Sequence, residues 1–371
     1  MGTISPALDR PHRTAAVIAT EDEAITVAGT IAGLFDTAEP GASTPETAEA
    51  RLELLSRSGL FGVSIPTEHG GIDVSNTVLA DICAAAAAHS ATLGEILAAH
   101  FAAIEQLRSH GTEGQRNTVF AAALAGARLA RAAPLPRNGE PAETLPLAAN
   151  GLAWRLSGDA LCTPCTRHAD WMLVPTHSDA GKTAGLLLPA RVEGLRYVAN
   201  SCEPAAGGAQ PAEHVLFKDV AVDGDALLHA PGETARTGVP LSLDMLLNAA
   251  RQLGAGRRAL GRLLGGAEPD ALTVGLLSAR LAAAQAMIAE AGRAIDAAQI
   301  GLADLHRTNA FLAAAAALVT AQEAAGEARA AAERESEGHA VEGVPPALAA
   351  LLEESGRLHL DAHRHPPEDE V

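Results

Sequence analysis

The hydrophobic periodicity of this chain changes twice, and this constrains the fold more than any other feature. The first third has apolar residues at helical spacing, beginning with the capping-box pattern of Thr20–Glu23. After about Pro134 the apolar segments become short and are separated by Gly, Pro, Asp and Asn, which is typical of strands and turns. From about Leu241 helices return, and apolar residues from Leu277 to Ile295 form one helical stripe. The order therefore predicts α, then β, then α.

Composition and charge exclude several classes of protein. Aromatic residues are only 2% of the chain, so the core must be built from closely packed Ala, Leu and Val. A formal charge of −18 argues against nucleic acid as a partner, because such proteins neutralise phosphates with clustered Lys and Arg. The polar start and the longest apolar run, Ala310 to Val319, predict neither a signal peptide nor a membrane span. Four cysteines do not make a disulfide framework, and we expect a cytoplasmic protein.

Several segments of the sequence match one known family. The segment SGLFGVSIPTEHGG at residues 58–71 fits the family pattern Gly-Leu-x-Gly-x-x-x-Pro-x-x-x-Gly-Gly. Further matching segments are His100-Phe101, Leu107–Arg116, Leu156–Gly158, Ala169–Trp171 and Val215–Val220. On these residues the chain resembles the acyl-CoA dehydrogenase superfamily. It is most similar to the flavin monooxygenase branch, which contains dibenzothiophene monooxygenases and sulfur-acquisition oxidoreductases.

The resemblance implies an α+β, mainly α, architecture in three parts. These are an N-terminal helical domain (residues 1–133), a middle β-barrel-like domain (134–236) and a C-terminal four-helix bundle (237–371). It also implies a flavin between the β domain and the bundle, and a homo-oligomer, either a dimer or a tetramer.

The same resemblance implies a flavin-dependent monooxygenase. Reduced FMN, supplied by a separate flavin reductase, would react with O2 to a C4a-hydroperoxide and oxygenate a small substrate, such as one containing sulfur or nitrogen. Two alternatives stay open. One is an FAD-dependent acyl-CoA dehydrogenase, which needs a catalytic carboxylate; Glu353 and Glu354 are near the expected place. The other is a catalytically degenerate homologue that serves as a scaffold or partner subunit.

Three histidines are the predicted catalytic residues. The resemblance places His100 on a helix facing the flavin, where an imidazole could protonate or hydrogen-bond a peroxide. His359 and His363 echo a C-terminal Arg…His-x-x-His-x-Pro segment of the family, with one extra residue between the histidines. Their i, i+4 spacing also suits a divalent metal, but the spacing alone is weak evidence and no metal is predicted. A solvated acidic tail explains the same residues equally well.

Three residues are the predicted cofactor contacts. Thr163 stands where the family has a flavin-binding serine, Trp171 lies in a matching strand segment, and Arg258 is the candidate for a cofactor phosphate. Pro164 removes a backbone N–H that the family motif offers. The family's Phe-Gly-Gln-Arg segment is replaced by residues 205–208, which lack the aromatic ring and the Arg. The Cys-x-x-Cys at Cys162–Cys165 suggests a redox pair as a minor alternative.

Overall fold

The structure is a computed structural model. It describes residues 14–36, 45–135, 144–151, 153–178, 183–198, 212–228, 238–266, 269–301, 303–334 and 344–365. The acidic tail after His365 and the segment at 205–208 lie outside the described residues.

The N-terminal part of the described chain is helical, as predicted. Its helices are α1 (Glu21–Asp36), α2 (Pro45–Arg57), α3 (Asn76–His89), α4 (Ala91–His110) and α5 (Glu113–Leu124). Their starts carry side-chain caps: Thr20 Oγ1 accepts from Glu23 N–H, and Thr112 and Gln115 form a complete capping box. The matched segment at 58–71 forms two short 3-10 turns, Leu60–Gly62 and Thr67–His69, between α2 and α3.

In the described residues, one sheet follows the helices. Its strands are β1 (Leu129–Pro134), β2 (Leu145–Asn150), β3 (Ala153–Cys162), β4 (Trp171–Ser178), β5 (Thr183–Pro189), β6 (Leu195–Tyr197), β7 (Glu213–Val222) and β8 (Leu227–Leu228). The order is β6-β7-β3-β1-β4-β5-β8. β1 and β2 lie end to end between β3 and β4, since both pair antiparallel with β3 and parallel with β4. One face of the sheet packs on α4 and α5, and the other encloses its own apolar cluster.

The C-terminal helices form the predicted bundle. They are α6 (Val239–Leu264), α7 (Ala271–Ile300), α8 (Asp304–Arg334) and α9 (Pro346–Arg364). The stripe predicted from Leu277 to Ile295 is buried along its whole length against neighbouring helices. α7 and α9 approach so closely that a Cβ on Gly275 would lie 1.7 Å from the carbonyl oxygen of Leu352. Only glycine permits that crossing.

Polar contacts at the C-terminal end of α7 join the bundle to the N-terminal helices. The Asn76 side-chain amide donates to Asp296 Oδ1 at 2.6 Å and to Gln299 Oε1 at 2.9 Å. Gln299 in turn donates to the buried Glu105 at 2.9 Å. Burial raises the pKa of the Glu105 carboxyl, despite the hydrogen bonds it accepts. These contacts fix α7 against α3 and α4.

Helix α7 is, in the described part of the chain, the one helix long and apolar enough to cross a membrane by length and composition. We expected no such segment from the sequence. The difference arises because its many alanines raise the mean hydropathy over a wide window. Its apolar stripe packs inside the bundle against α6 and α8.

Candidate functional site at the junction of the three parts

A cavity of about 260 Å³ lies where the helical part, the sheet and the bundle meet. Its walls come from the end of α4, from β1, β4 and β5, and from the first turns of α6. The apolar lining includes Leu173, Pro175 and Leu241, and the polar lining consists of Gln106, His110, Arg131, Thr144 and Asp244. Because all three parts contribute walls, the cavity exists only in the assembled fold. Pockets at such junctions are the usual place for a ligand.

An ion pair crosses from the sheet to the bundle at this cavity. Arg131, on β1, donates from Nη1 to Asp244 Oδ1 on α6. The two side chains are 33% and 39% exposed, respectively. At that exposure, solvent screening limits an ion pair to about 1 kcal/mol or less, so little free energy opposes its separation. The pair therefore contributes little to the stability of the fold.

A histidine–glutamine pair forms the opposite wall. His110 Nδ1 lies 3.0 Å from Gln106 Oε1, one turn earlier on α4. Since a glutamine Oε1 can only accept, Nδ1 carries the proton, and the lone pair of the neutral ring is on Nε2. Burial lowers the pKa of His110, which favours this neutral form. The sequence alone predicts no role for these two residues, for Arg131 or for Asp244, although His110 lies in one of the segments that match the family.

His100 lies deep in the protein. Its Nε2 donates to the Phe61 carbonyl oxygen at 2.9 Å, and its Nδ1 accepts from Leu129 N–H at 3.2 Å. The side chain is fully buried, and burial lowers its pKa to about 4. It therefore ties α4 to a 3-10 turn and to β1. The predicted role in protonating a peroxide would require one of these two hydrogen bonds to break.

The predicted cofactor contacts Thr163 and Trp171 interact with other residues of the protein at the sheet. Thr163 Oγ1 accepts from Arg131 N–H at 3.0 Å and donates to the Arg131 carbonyl oxygen at 3.2 Å. Trp171 is fully buried in the cluster between the sheet, α4 and α5, with Ile104 and Phe120. Thr163 is next to the cavity residue Arg131, whereas Trp171 belongs to the core.

The other predicted site residues lie elsewhere. Arg258, on α6, donates from Nε to the Ala88 carbonyl oxygen at 2.8 Å, at the end of α3. Cys162 packs in the inner cluster of the sheet and Cys165 against the helical core, so the two side chains point into different clusters. Among the described residues no group of three His, Cys, Asp or Glu side chains could hold a metal ion.

The C-terminal histidines are far from the cavity along the bundle. His359 and His363 are exposed on α9, whose buried Leu360 packs with Leu263 near the end of α6. Asp244 is near the start of α6, and at 1.5 Å per residue the two ends are separated by ~28 Å. The carboxylates Glu353 and Glu354 lie on the same helix and pair with Arg357. Within one chain, none of these groups reaches the cavity.

The cavity residues fit a flavin ring in their chemistry. Arg131 and Gln106 offer donors for ring carbonyl oxygens, Leu173 and Leu241 offer apolar surface, and Arg131 supplies a positive charge. At about 260 Å³, the cavity is smaller than the ~300–1,000 Å³ typical of sites for drug-sized ligands. A flavin would therefore occupy more space than this cavity provides.

Comparisons with known proteins define the class of the fold. Residues 31–127 match the family model of the acyl-CoA dehydrogenase N-terminal domain. The three-part architecture of helices, sheet and bundle is the acyl-CoA dehydrogenase fold. The resemblance inferred from the sequence is therefore confirmed, as is the predicted fold class. No curated protein matches the chain in sequence.

Solved structures with the same fold include two monooxygenases and a dehydrogenase. Dibenzothiophene monooxygenase TdsC from Paenibacillus sp. A11-2, solved with FMN and indole, is 20% identical over 93% of each chain, with a TM-score of 0.70. Methanesulfinate monooxygenase MsuC from Pseudomonas fluorescens is 16% identical over 95% of this chain and 94% of its own (TM-score 0.72). Butyryl-CoA dehydrogenase from Megasphaera elsdenii is 17% identical, covering 91% and 92% (TM-score 0.70).

Proposed function

We propose that this chain is a flavin-dependent oxidoreductase that acts on a small substrate held in the junction cavity. In the finer form of the proposal it is a monooxygenase that uses reduced FMN and O2. The carrying observation is the cavity itself, which lies between β1 and α6 and combines the Arg131 cation, the neutral His110 and apolar walls. TdsC, which has the same fold, was solved with FMN and a small aromatic molecule.

Each of these residues would have a separate role in binding the cofactor and the substrate. Arg131 would counter negative charge on the cofactor after releasing Asp244, and Leu241 and Leu173 would exclude water from the reacting atoms. Thr163 would hold β1 in register behind Arg131, through its two hydrogen bonds to the Arg131 backbone. The flavin would supply the redox chemistry, and the protein would supply binding, orientation and exclusion of water. FAD is the alternative cofactor. A separate flavin reductase, a homo-oligomeric assembly and a cytoplasmic location belong to the same proposal.

A second candidate is a catalytically degenerate homologue that acts as a scaffold or partner subunit. This candidate is favoured because the residues expected to contact the cofactor instead contact other parts of the protein. Thr163 bonds to β1, Trp171 is in the core, and Arg258 bonds to α3. The acyl-CoA dehydrogenase alternative has less support, because Glu353 and Glu354 are on α9, away from the cavity.

Flavin titration separates these functions. The purified protein is titrated with FMN and FAD, oxidised and then reduced under anaerobic conditions, while quenching of fluorescence is followed. Binding of reduced FMN at micromolar concentration supports the monooxygenase, and preferential binding of FAD supports the dehydrogenase. Absence of binding in every state contradicts both and favours the scaffold. The Arg131→Gln variant should weaken the binding, whereas Arg329→Gln, at an exposed position on α8 outside the cavity lining, serves as the matched control.

A further inference from the structure

On the α4 wall of the cavity, His110 offers a hydrogen-bond acceptor, and a neighbouring side chain fixes the orientation of its ring. Gln106 Oε1 accepts from His110 Nδ1–H at 3.0 Å, which fixes both the tautomer and the ring orientation. The other ring nitrogen, Nε2, makes no hydrogen bond to any described residue, and His110 lines the cavity. An imidazole oriented in this way by a second group is a common arrangement for accepting a hydrogen bond or proton from a ligand.

The remaining cavity residues limit the size and polarity of that ligand. A cavity of about 260 Å³ is smaller than the ~300–1,000 Å³ usual for drug-sized ligands, so a compact ligand fits it best. Leu173, Pro175 and Leu241 form apolar walls, while Arg131 and Asp244 are occupied by each other. A compact, neutral molecule is therefore favoured over a charged one.

We propose that His110 Nε2 binds the N–H or O–H group of a compact neutral, largely apolar substrate, and that Gln106 is the positioning residue for His110. This inference rests on the proposed function only in calling the ligand a substrate, since binding itself needs no flavin. It names a substrate class: small heterocycles or alcohols with one hydrogen-bond donor. An isosteric molecule without the donor fills the same space but leaves Nε2 without a partner in the complex, which weakens its binding.

A pair of isosteric probes tests the proposal on the full-length protein without flavin. Indole carries an N–H donor, and benzothiophene has a sulfur in its place and nearly the same shape. Both affinities are measured by ligand-observed NMR. One net hydrogen bond contributes about 1 kcal/mol, so indole should bind roughly fivefold more tightly. Equal affinities, or binding of neither probe, would overturn the proposal.

Substitutions test whether His110 causes the preference for indole over benzothiophene. His110→Phe keeps a ring but removes the acceptor, so the indole preference should disappear while benzothiophene binding persists. Gln106→Leu removes the acceptor for Nδ1–H and should therefore reduce the preference. Leu241→Ala, on the apolar wall, should weaken both probes alike. An unchanged preference in folded His110→Phe, with its far-UV circular dichroism intact, would refute the assignment. Flavin titration of the same samples reports separately on the proposed function.

Discussion

Replacement of His100 by leucine should destabilise the fold strongly at neutral pH and much less in acid. The variant leaves the Phe61 carbonyl oxygen and the Leu129 N–H, both in buried residues, without their partner. Each buried polar group left unsatisfied costs about 1–3 kcal/mol, so the free energy of unfolding at pH 7 should fall by roughly 4 kcal/mol.

The pH dependence follows from the lowered pKa of His100. Its pKa is about 4 in the folded state, because burial disfavours the charged ring, against about 6.5 when unfolded. Between these values the unfolded chain binds a proton that the folded chain does not, so stability falls as pH falls. The difference between these two pKa values corresponds to roughly 3 kcal/mol of stability, which is lost between about pH 6.5 and pH 4. Since His100→Leu has no such proton, the difference from wild type should shrink to about 1 kcal/mol at pH 4.

Urea unfolding followed by far-UV circular dichroism at pH 7, 5.5 and 4 measures this difference. All other ionisable groups are present in both proteins, so their effects cancel to first order. His359→Leu, at an exposed position on α9, is the matched control and should follow wild type at each pH. A stability gap for His100→Leu that stays constant from pH 7 to pH 4 would refute the assignment of a buried neutral imidazole. Unchanged stability at pH 7 would refute the two hydrogen bonds as well.

Two further predictions concern the bundle and the cavity. Gly275→Ala places a Cβ against the Leu352 carbonyl oxygen and should release α9, lowering the melting temperature and exposing α9 to limited proteolysis. The control Gly261→Ala, a helical position with open space around it, should instead stabilise the protein by about 0.5–1 kcal/mol; a loss of stability there would contradict the packing argument. Asp244→Asn should lower the free energy of unfolding by less than about 1 kcal/mol, because its pair with Arg131 is partly exposed, and should tighten flavin binding by removing the competing carboxylate. Tighter binding is measured by the same titration, and weaker binding would contradict the competition.

The elements could be predicted from the sequence because their signals are local. The stripe from Leu277 to Ile295 requires only helical spacing, and the cap at Thr112 requires only residues within one turn. The strand segments are similarly marked by short apolar runs between turn residues. The sheet begins at Leu129 rather than after Pro134, because the short β1 carries no alternation that distinguishes it from the preceding helix.

The site could not be predicted in the same way, since its contacts join residues that are distant in the chain. Arg131 and Asp244 are 113 residues apart, and only the docking of α6 on β1 brings them together. His110 lies in a segment that matches the family, but its role depends on which side of α4 faces the cavity, and the segment alone does not determine that. His100 matched a family position, yet its position along the chain says nothing of the carbonyl oxygen and N–H that hold its ring. A chemical role that is inferred from a sequence position therefore has to be checked against the neighbours of that side chain in the structure.

The energies of the expected flavin contacts indicate what kind of flavin protein this chain can be. Thr163 is engaged with β1, Pro164 offers no N–H, and Arg258 bonds to α3. If each absent contact weakens binding by about 1 kcal/mol, the loss is about 3 kcal/mol, or roughly a hundredfold in affinity. A dissociation constant that would otherwise be about 10 nM then becomes about 1 µM. Separation of the Arg131–Asp244 pair adds about 1 kcal/mol or less and does not change that range. Such a protein would lose its flavin on purification but take up reduced flavin delivered by another enzyme, which is the behaviour that the proposed monooxygenase requires.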